Sequence, residues 1–381
     1  MRKSMQRANL AAAMTLILVC TSALATETQQ PASLVEPERS IVFDDTFQDG
    51  PLLTIARFIG SGDYSWPAGE LYLKPPKDGV PKEIGLLYKA VAGPVADLTA
   101  RIEFPPIENR RGIAETYLTF SLESGEAVRV AFVRKRMDDA ITTEVRVIRA
   151  SCTENVVRAF PLPGDAPPGE YTVRYHHGLV GIQCQGRLLG QAFVEVSPPS
   201  SSLRSVSISQ KGLPVRFRQL RLAAVPRPEQ NDSQKAMLLE AVLAGGRSAF
   251  LRAERQRAPD AERAAIESLV LFQKLRGREH ADVACAFVKL AEVCEDQGKH
   301  QEAQRSYEAA LKIMDKALGP PHPLTAATRL ALGRMRLAQG EHAAAKTLFE
   351  VALPVYESVY GNNHPETETL YHLLQQVPPR P

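Results

Sequence analysis

Between Ser40 and Val225 apolar residues alternate with polar ones in short runs, and the alternation then gives way to a helical pattern. Tyr117–Leu122, Ala127–Val133, Thr143–Ile148, Tyr171–Tyr175, Val180–Cys184, Ser205–Ser209 and Val215–Leu222 each read as a strand with one face inward. Turn chemistry separates them: Glu123-Ser124-Gly125-Glu126, Pro161 to Gly169, His177-Gly178, Gln185-Gly186 and Lys211-Gly212. Many short strands with no helical period between them predict an antiparallel β-sandwich over residues 40–225, with the proline-serine run Ser197–Ser202 as a loop inside it. Two prolines and a polar stretch, Pro226-Arg227-Pro228-Glu229-Gln230-Asn231-Asp232, then mark a linker, and residues 233–376 read as helices.

The helical part repeats itself. Gly277, Gly319 and Gly361 are 42 residues apart, as are His280, His322 and His364. Between them Leu290, Gly298, Ala303, Tyr307, Ala310 and Leu311 recur as Leu332, Gly340, Ala345, Phe349, Ala352 and Leu353. Running the register backwards places Ala261, Leu269 and Leu271 on Ala303, Leu311 and Ile313, so an earlier, degenerate hairpin begins near Ser233. Small residues let paired helices approach, the aromatic at Tyr307 or Phe349 fills the wedge against the next hairpin, and Gly298 or Gly340 is expected to end a helix in a left-handed cap. One hairpin cannot bury its apolar face alone, so the repeats must stack, with Glu366–Gln376 as a terminal capping helix.

With Leu290-Ala291, Gly298, Glu302-Ala303, Tyr307 and Ala310-Leu311 in this order, residues 281–318 resemble a tetratricopeptide repeat. The 42-residue period and the Leu-Gly-Pro-Pro-His-Pro linker at Leu318–Pro323 are similar to the long-helix subtype of kinesin light chains and their bacterial relatives. That resemblance implies a superhelix whose first helices line a groove for a protein or peptide, with Lys289, Glu292, Asp296 and Arg334 on the groove wall. The chain departs from the subtype where an Asn usually faces the groove, carrying Lys289 and Ala331 instead. In the N-terminal half, Phe43-Asp44-Asp45-Thr46-Phe47, the hairpin Tyr171–Gly190 and the closing Val206–Leu222 resemble a concanavalin-type or laminin G-like jelly roll.

The first 25 residues stand apart from both regions. Arg2, Lys3 and Arg7 precede an apolar run from Ala8 to Cys20, and Ala23-Leu24-Ala25 offers a small-residue cleavage site, the layout of a secretory signal peptide cut after Ala25. The run is too short for the ~20 residues of a spanning helix, and Val19 before Cys20 disfavours lipidation there. A secreted or periplasmic location is therefore expected. Of 46 basic and 43 acidic residues, cleavage removes three basic ones, leaving a formally neutral chain with no field to attract nucleic acid.

In such a compartment Cys152 and Cys184 could form a disulfide across two strands or remain two core thiols. Cys285 and Cys294, about 13.5 Å apart along one helix, cannot bridge and should be buried thiols. No CxxC pair supports zinc or redox chemistry, and no cofactor is implied.

Catalysis finds little support. Retaining glycosidases need paired carboxylates about 5 Å apart, whereas Glu115, Glu123 and Glu126 straddle strand ends and a turn. Asp44, Asp45 and Asp49 could ligate calcium or simply be solvated. His176 and His177, as strand neighbours, are expected to point to opposite faces. Trp66, near Tyr64 and Tyr72, is the residue best suited to contact a glycan, with core packing as the alternative. The expected function is that of an exported, non-catalytic interaction or scaffold protein, with a protein or peptide bound by the repeats. The alternative is a carbohydrate-binding or relic glycoside hydrolase sandwich, with the repeats as an assembly module.

Overall fold

The computed structural model describes residues 39–377, except 49–50, 53, 61, 75–82, 108–110, 139, 152–153, 163, 228–229 and 254–257. The leader, Asp49 and Cys152 thus lie outside the described residues. The chain divides into two compact units, one mainly of residues up to 227 and one mainly of residues from 230 on, with residues 358–360 grouped with the first.

The first unit is a sandwich of two antiparallel sheets. Numbered along the chain, the eight-stranded sheet runs β13 (Arg187–Phe193), β12 (Leu179–Cys184), β11 (Gly169–His176), β6 (Val95–Glu103), β15 (Val215–Ala224), β4 (Leu71–Lys74), β3 (Asp63–Ser65). Its eighth strand, β1 (Ser40–Asp45), pairs with the far end of β15, Ser40 opposite Ala224. The seven-stranded sheet runs β10 (Glu154–Leu162), β9 (Ala140–Ala150), β8 (Ala127–Met137), β7 (Arg111–Leu122), β14 (Leu203–Lys211), β5 (Ile84–Ala92), β2 (Ala56–Ile59).

Each run of alternating residues named above lies within one of these strands, because period-two alternation gives each strand one buried face. Leu118 and Phe120 of β7 and Val130 and Phe132 of β8 point inward and meet Val173 and Tyr175 of β11 in a single core. Ring pairs tie the layers together: Phe43 stacks on Tyr88 with centroids 4.6 Å apart, and Phe132 meets Tyr171 edge-on at 4.7 Å.

Two hairpin loops show how the sequence sets register. His177-Gly178 and Gln185-Gly186 all have positive φ (49° and 91°, 49° and 78°), the type I′ geometry that suits the twist of adjoining strands. They place His176 opposite Leu179 and Cys184 opposite Arg187.

The second unit consists, among the described residues, of seven helices: α1 (Asp232–Ala253), α2 (Ala258–Arg276), α3 (Ala281–Asp296), α4 (His300–Ala317), α5 (Pro323–Ala338), α6 (His342–Val359) and α7 (Pro365–Gln376). Hairpins α1–α2, α3–α4 and α5–α6 repeat at 42 residues, and α7 follows as a single closing helix. Gly298 and Gly340, after α3 and α5, have φ of 71° and 78°, a conformation that costs any residue with a Cβ. Tyr307 and Phe349 are buried, and a Cβ on Gly333 would come within 2.4 Å of the Phe349 ring. Helix and ring can therefore close to that distance only over glycine. No helix among the described residues is long and apolar enough to cross a membrane.

Candidate functional site

Lys289, Glu292 and Asp296 lie at i, i+3 and i+7 on α3 and share one face of it, and Arg334 on α5 is the 42-residue counterpart of Glu292. The structure places Lys289, Glu292 and Asp296 at the edge where α3 meets α1. Arg252 of α1 donates to both Glu292 and Asp296, so the two acids hold neighbouring hairpins together. The ammonium of Lys289 lies over Gly245 of α1, where a Cβ would be 3.0 Å from it. Burial pushes the Glu292 carboxyl above its ordinary range, against the pull of Arg252 and Lys289. The bond to Asp296 strengthens the hold on the Arg252 proton. Arg334 is exposed. The face therefore contains an internal ion-pair lock and, one repeat later, an arginine open to solvent. Arg252, the partner of both acids, is not distinguishable as such in the sequence because it lies outside the repeated set.

The histidines of the 42-residue ladder are helix caps. Nδ1 of His280, His322 and His364 accepts from the backbone N–H of Asp282, Leu324 and Glu366 at 3.2, 3.2 and 3.3 Å, satisfying a donor that the first turn leaves open. Glu262, Cys294 and Glu302 bring their ligand atoms within 4.8 Å of one another, but the Lys299 ammonium stands 2.7 Å from Glu262 and supplies the cation there. Burial, with Glu262 and Glu302 nearby, pushes the Cys294 thiol up to about 12, so it stays protonated. Cys285 is half-buried and Cys294 buried, both as reduced thiols.

In the sandwich several expectations change. Cys184 is a buried free thiol, and Cys152, the partner weighed for it, lies outside the described residues. Asp45 is neither solvated nor arranged for calcium. Its carboxylate is buried and accepts from Phe47 N–H (3.0 Å), Leu52 N–H (2.9 Å) and the Tyr88 hydroxyl (2.9 Å), clasping the turn after β1 to β5. Asp44 accepts from Gln219 at 2.6 Å. His176 and His177 do not diverge: their rings meet with centroids 5.0 Å apart, because His177 occupies the left-handed turn rather than the strand. Nδ1 of His177 lies 3.1 Å from the Pro199 carbonyl.

Trp66 is 42 % exposed, so core packing does not account for it. Near it in sequence, Tyr64 packs on Phe58, and Tyr72 lies under the Arg216 guanidinium. Glu115, Glu123 and Glu126 each meet a different cation: Lys211, Arg227 and Arg149.

A polar cluster that the sequence does not announce lies on the outer face of the seven-stranded sheet. Arg129 reaches Glu83 and Glu154, the Ser209 hydroxyl donates to Glu83 at 2.6 Å, and the guanidinium lies 5.2 Å from the Tyr117 ring centroid. Burial and the hydrogen bond to Glu115 raise the Tyr117 phenol well above its ordinary value, so it remains a neutral donor. Strand pairing alone assembles this group from residues distant in the chain. On the inner face, Arg134 is buried with a two-pronged pair to Asp165 at 2.6 and 2.6 Å and a third bond to the Pro105 carbonyl.

Residues 239–307 and 282–358 match the tetratricopeptide repeat family model, so helices α1–α6 carry tetratricopeptide repeats. No curated protein matches the chain in sequence. Among solved structures, the chain is similar to the CBM2 module of the evolved Dit of Lactobacillus casei BL23 phage J-1, at 10 % identity and TM-score 0.40 over 51 % of this chain and 100 % of that one. A kappa-carrageenase from Pseudoalteromonas carrageenovora, solved with an oligotetrasaccharide of kappa-carrageenan, aligns at 10 % identity and TM-score 0.37 over 52 % and 99 %. A putative kinesin light chain from Podosopora anserina, with nearly identical TPR-like repeats, aligns at 22 % identity and TM-score 0.33 over 35 % of this chain and 64 % of that one.

Proposed function

We propose that the chain is an exported, non-catalytic interaction protein whose tetratricopeptide array holds a loop or extended peptide of a partner protein. The observation that carries this reading is the variation among equivalent positions on the first helices of the hairpins. Phe250, Glu292 and Arg334 succeed one another at 42-residue steps, so the same geometric site recurs with apolar, acidic and basic chemistry. A stacked array in which the core repeats while this face varies is suited to reading a particular segment. Arg334, which is exposed, and Lys289, half-buried over Gly245, are the cations of this face toward an acidic partner, since Glu292 and Asp296 are engaged by Arg252. Export rests on the leader layout of Arg2, Lys3, Arg7, the apolar run to Cys20 and Ala23-Leu24-Ala25.

Affinity capture with the full chain should enrich a specific protein, and Lys289→Glu with Arg334→Glu should lower that recovery by about tenfold. Recovery unchanged by the double reversal would overturn the assignment of this face. N-terminal sequencing of the secreted material should begin at Thr26.

A second reading, in which the sandwich binds a glycan, is favoured by the exposure of Trp66. On a glycan array the full chain would then bind a defined set of sugars and lose them with Trp66→Ala.

A further inference from the structure

Helix α3 meets α1 through Lys289 and Glu292. One 42-residue step earlier these positions are Arg247 and Phe250 of α1, and among the described residues no helix precedes α1 to receive them. The same edge carries Leu239 and Leu243. Leu239, Leu243 and Phe250 are 60, 61 and 64 % exposed, whereas the counterparts of Leu239 in later hairpins, Ala281 and Pro323, are buried. At about 100° per residue, Leu239, Leu243, Gly246 and Phe250 form one stripe opposite the buried face of Ala241, Ala244, Ser248 and Leu251. Large apolar side chains lined up in this way differ from the scattered exposed leucines of an ordinary surface. The first hairpin thus ends the stack with an apolar, uncapped edge.

We propose that this edge is closed by α1 of a second copy of the chain, the two helices crossing antiparallel about a two-fold axis between Ala244 and Gly245. The stripe complements itself in that arrangement. Leu239 lies opposite Phe250 of the second copy. Leu243 lies over Gly246 of the second copy, where an added Cβ would meet nothing within 4 Å of the single chain, so the missing side chain leaves room for the leucine. On one flank Glu240, which is exposed, comes opposite Arg247 of the second copy, and symmetry makes two such pairs. Arg247 is 55 % exposed and already leans on Glu267, which leaves donors for a second carboxylate. Val242 and Ala249 line the other flank, which carries no opposing charge. One helix pair covers less than the ~800 Å² per partner of a standard interface, so a reversible, micromolar dimer follows.

Sedimentation equilibrium of the full chain between about 1 and 200 µM tests this. The wild-type chain should dimerise, and Phe250→Asp and Gly246→Gln should each weaken the dimer by about thirtyfold or more with unchanged circular dichroism. The glutamine fills space that the single chain leaves open, so its effect does not arise from misfolding. Glu240→Arg and Arg247→Glu should each weaken the dimer by about tenfold, and the double variant should return to within about threefold of wild type. A monomer across the whole range, as would result if another part of the chain covered the stripe, overturns the proposal. So does a dimer indifferent to Phe250→Asp and Gly246→Gln, or a double variant no tighter than the single ones.

Discussion

Leu118 of the sandwich finds its ladder partner Ile208 far along the chain, across the intervening strands β8 to β13, while Tyr307 of the array fills a wedge made by helices adjacent in sequence. The sandwich is therefore one cooperative object closed by contacts of long sequence separation, and the array is a sum of hairpins coupled to their neighbours. Damage should spread through the first unit and stay local in the second. The polar devices follow the same division: Asp45 and Arg134 join segments distant in sequence, whereas the His280, His322 and His364 caps act within single turns.

The most severe test is Asp45→Ala, which leaves the Phe47 and Leu52 amides and the Tyr88 hydroxyl without their acceptor. The sandwich should lose about 4 kcal/mol while the helical signal of the array persists, giving two separated denaturation transitions. A single merged transition would contradict the modular picture. Asp165→Ala strands the buried Arg134 guanidinium, and the same unit should weaken by about 3 kcal/mol, measured as a fall in denaturant midpoint at constant slope.

In the array, Gly333→Ala drives a Cβ into the Phe349 ring at a cost of about 2 kcal/mol. Hydrogen exchange should accelerate in α5 to α7 with α1 to α4 nearly unchanged; uniform acceleration would show that the stack is more cooperative than its repeats suggest.

The smallest effect concerns pH. Burial is the main cause holding the His280 imidazole below its ordinary value near 6.5, with Arg276 acting in the same direction and Asp282 against it. Because the folded value is the lower one, the unfolded chain takes up the proton first as pH falls. The contribution of the cap is complete above about pH 6.5 and is lost as pH falls through the folded value, about 1 kcal/mol in all. His280→Asn, which caps without titrating, should flatten that part of the stability profile.

Several elements were legible beforehand for identifiable reasons. Alternation over Tyr117–Leu122 and Ala127–Val133 marked β7 and β8, since both have one face in the core. β10 gave no such signal: it is an edge strand with most residues exposed, so packing does not constrain which of them are apolar. The caps at Gly298 and Gly340 were readable because left-handed φ selects glycine directly. Lys289, Glu292 and Asp296 fall on one face of α3 by their spacing alone, but the Arg252 lock that engages the two acids was not visible, since it depends on the separation of α1 and α3. The Glu83–Arg129–Glu154 cluster was hidden for the same reason: its members share no period.

Taken alone, the order of the amino acids determined the local matters: where strands alternate, where turns fall, and the 42-residue period that obliges hairpins to stack. These depend on backbone sterics and on burying one face of each element, which act over a few residues. Only the tertiary structure decided which charges meet, whether His176 and His177 touch, that Asp45 is a buried clasp, and that no helix among the described residues covers the apolar edge of α1. Such contacts depend on distances between segments remote in the chain, and no local pattern encodes them.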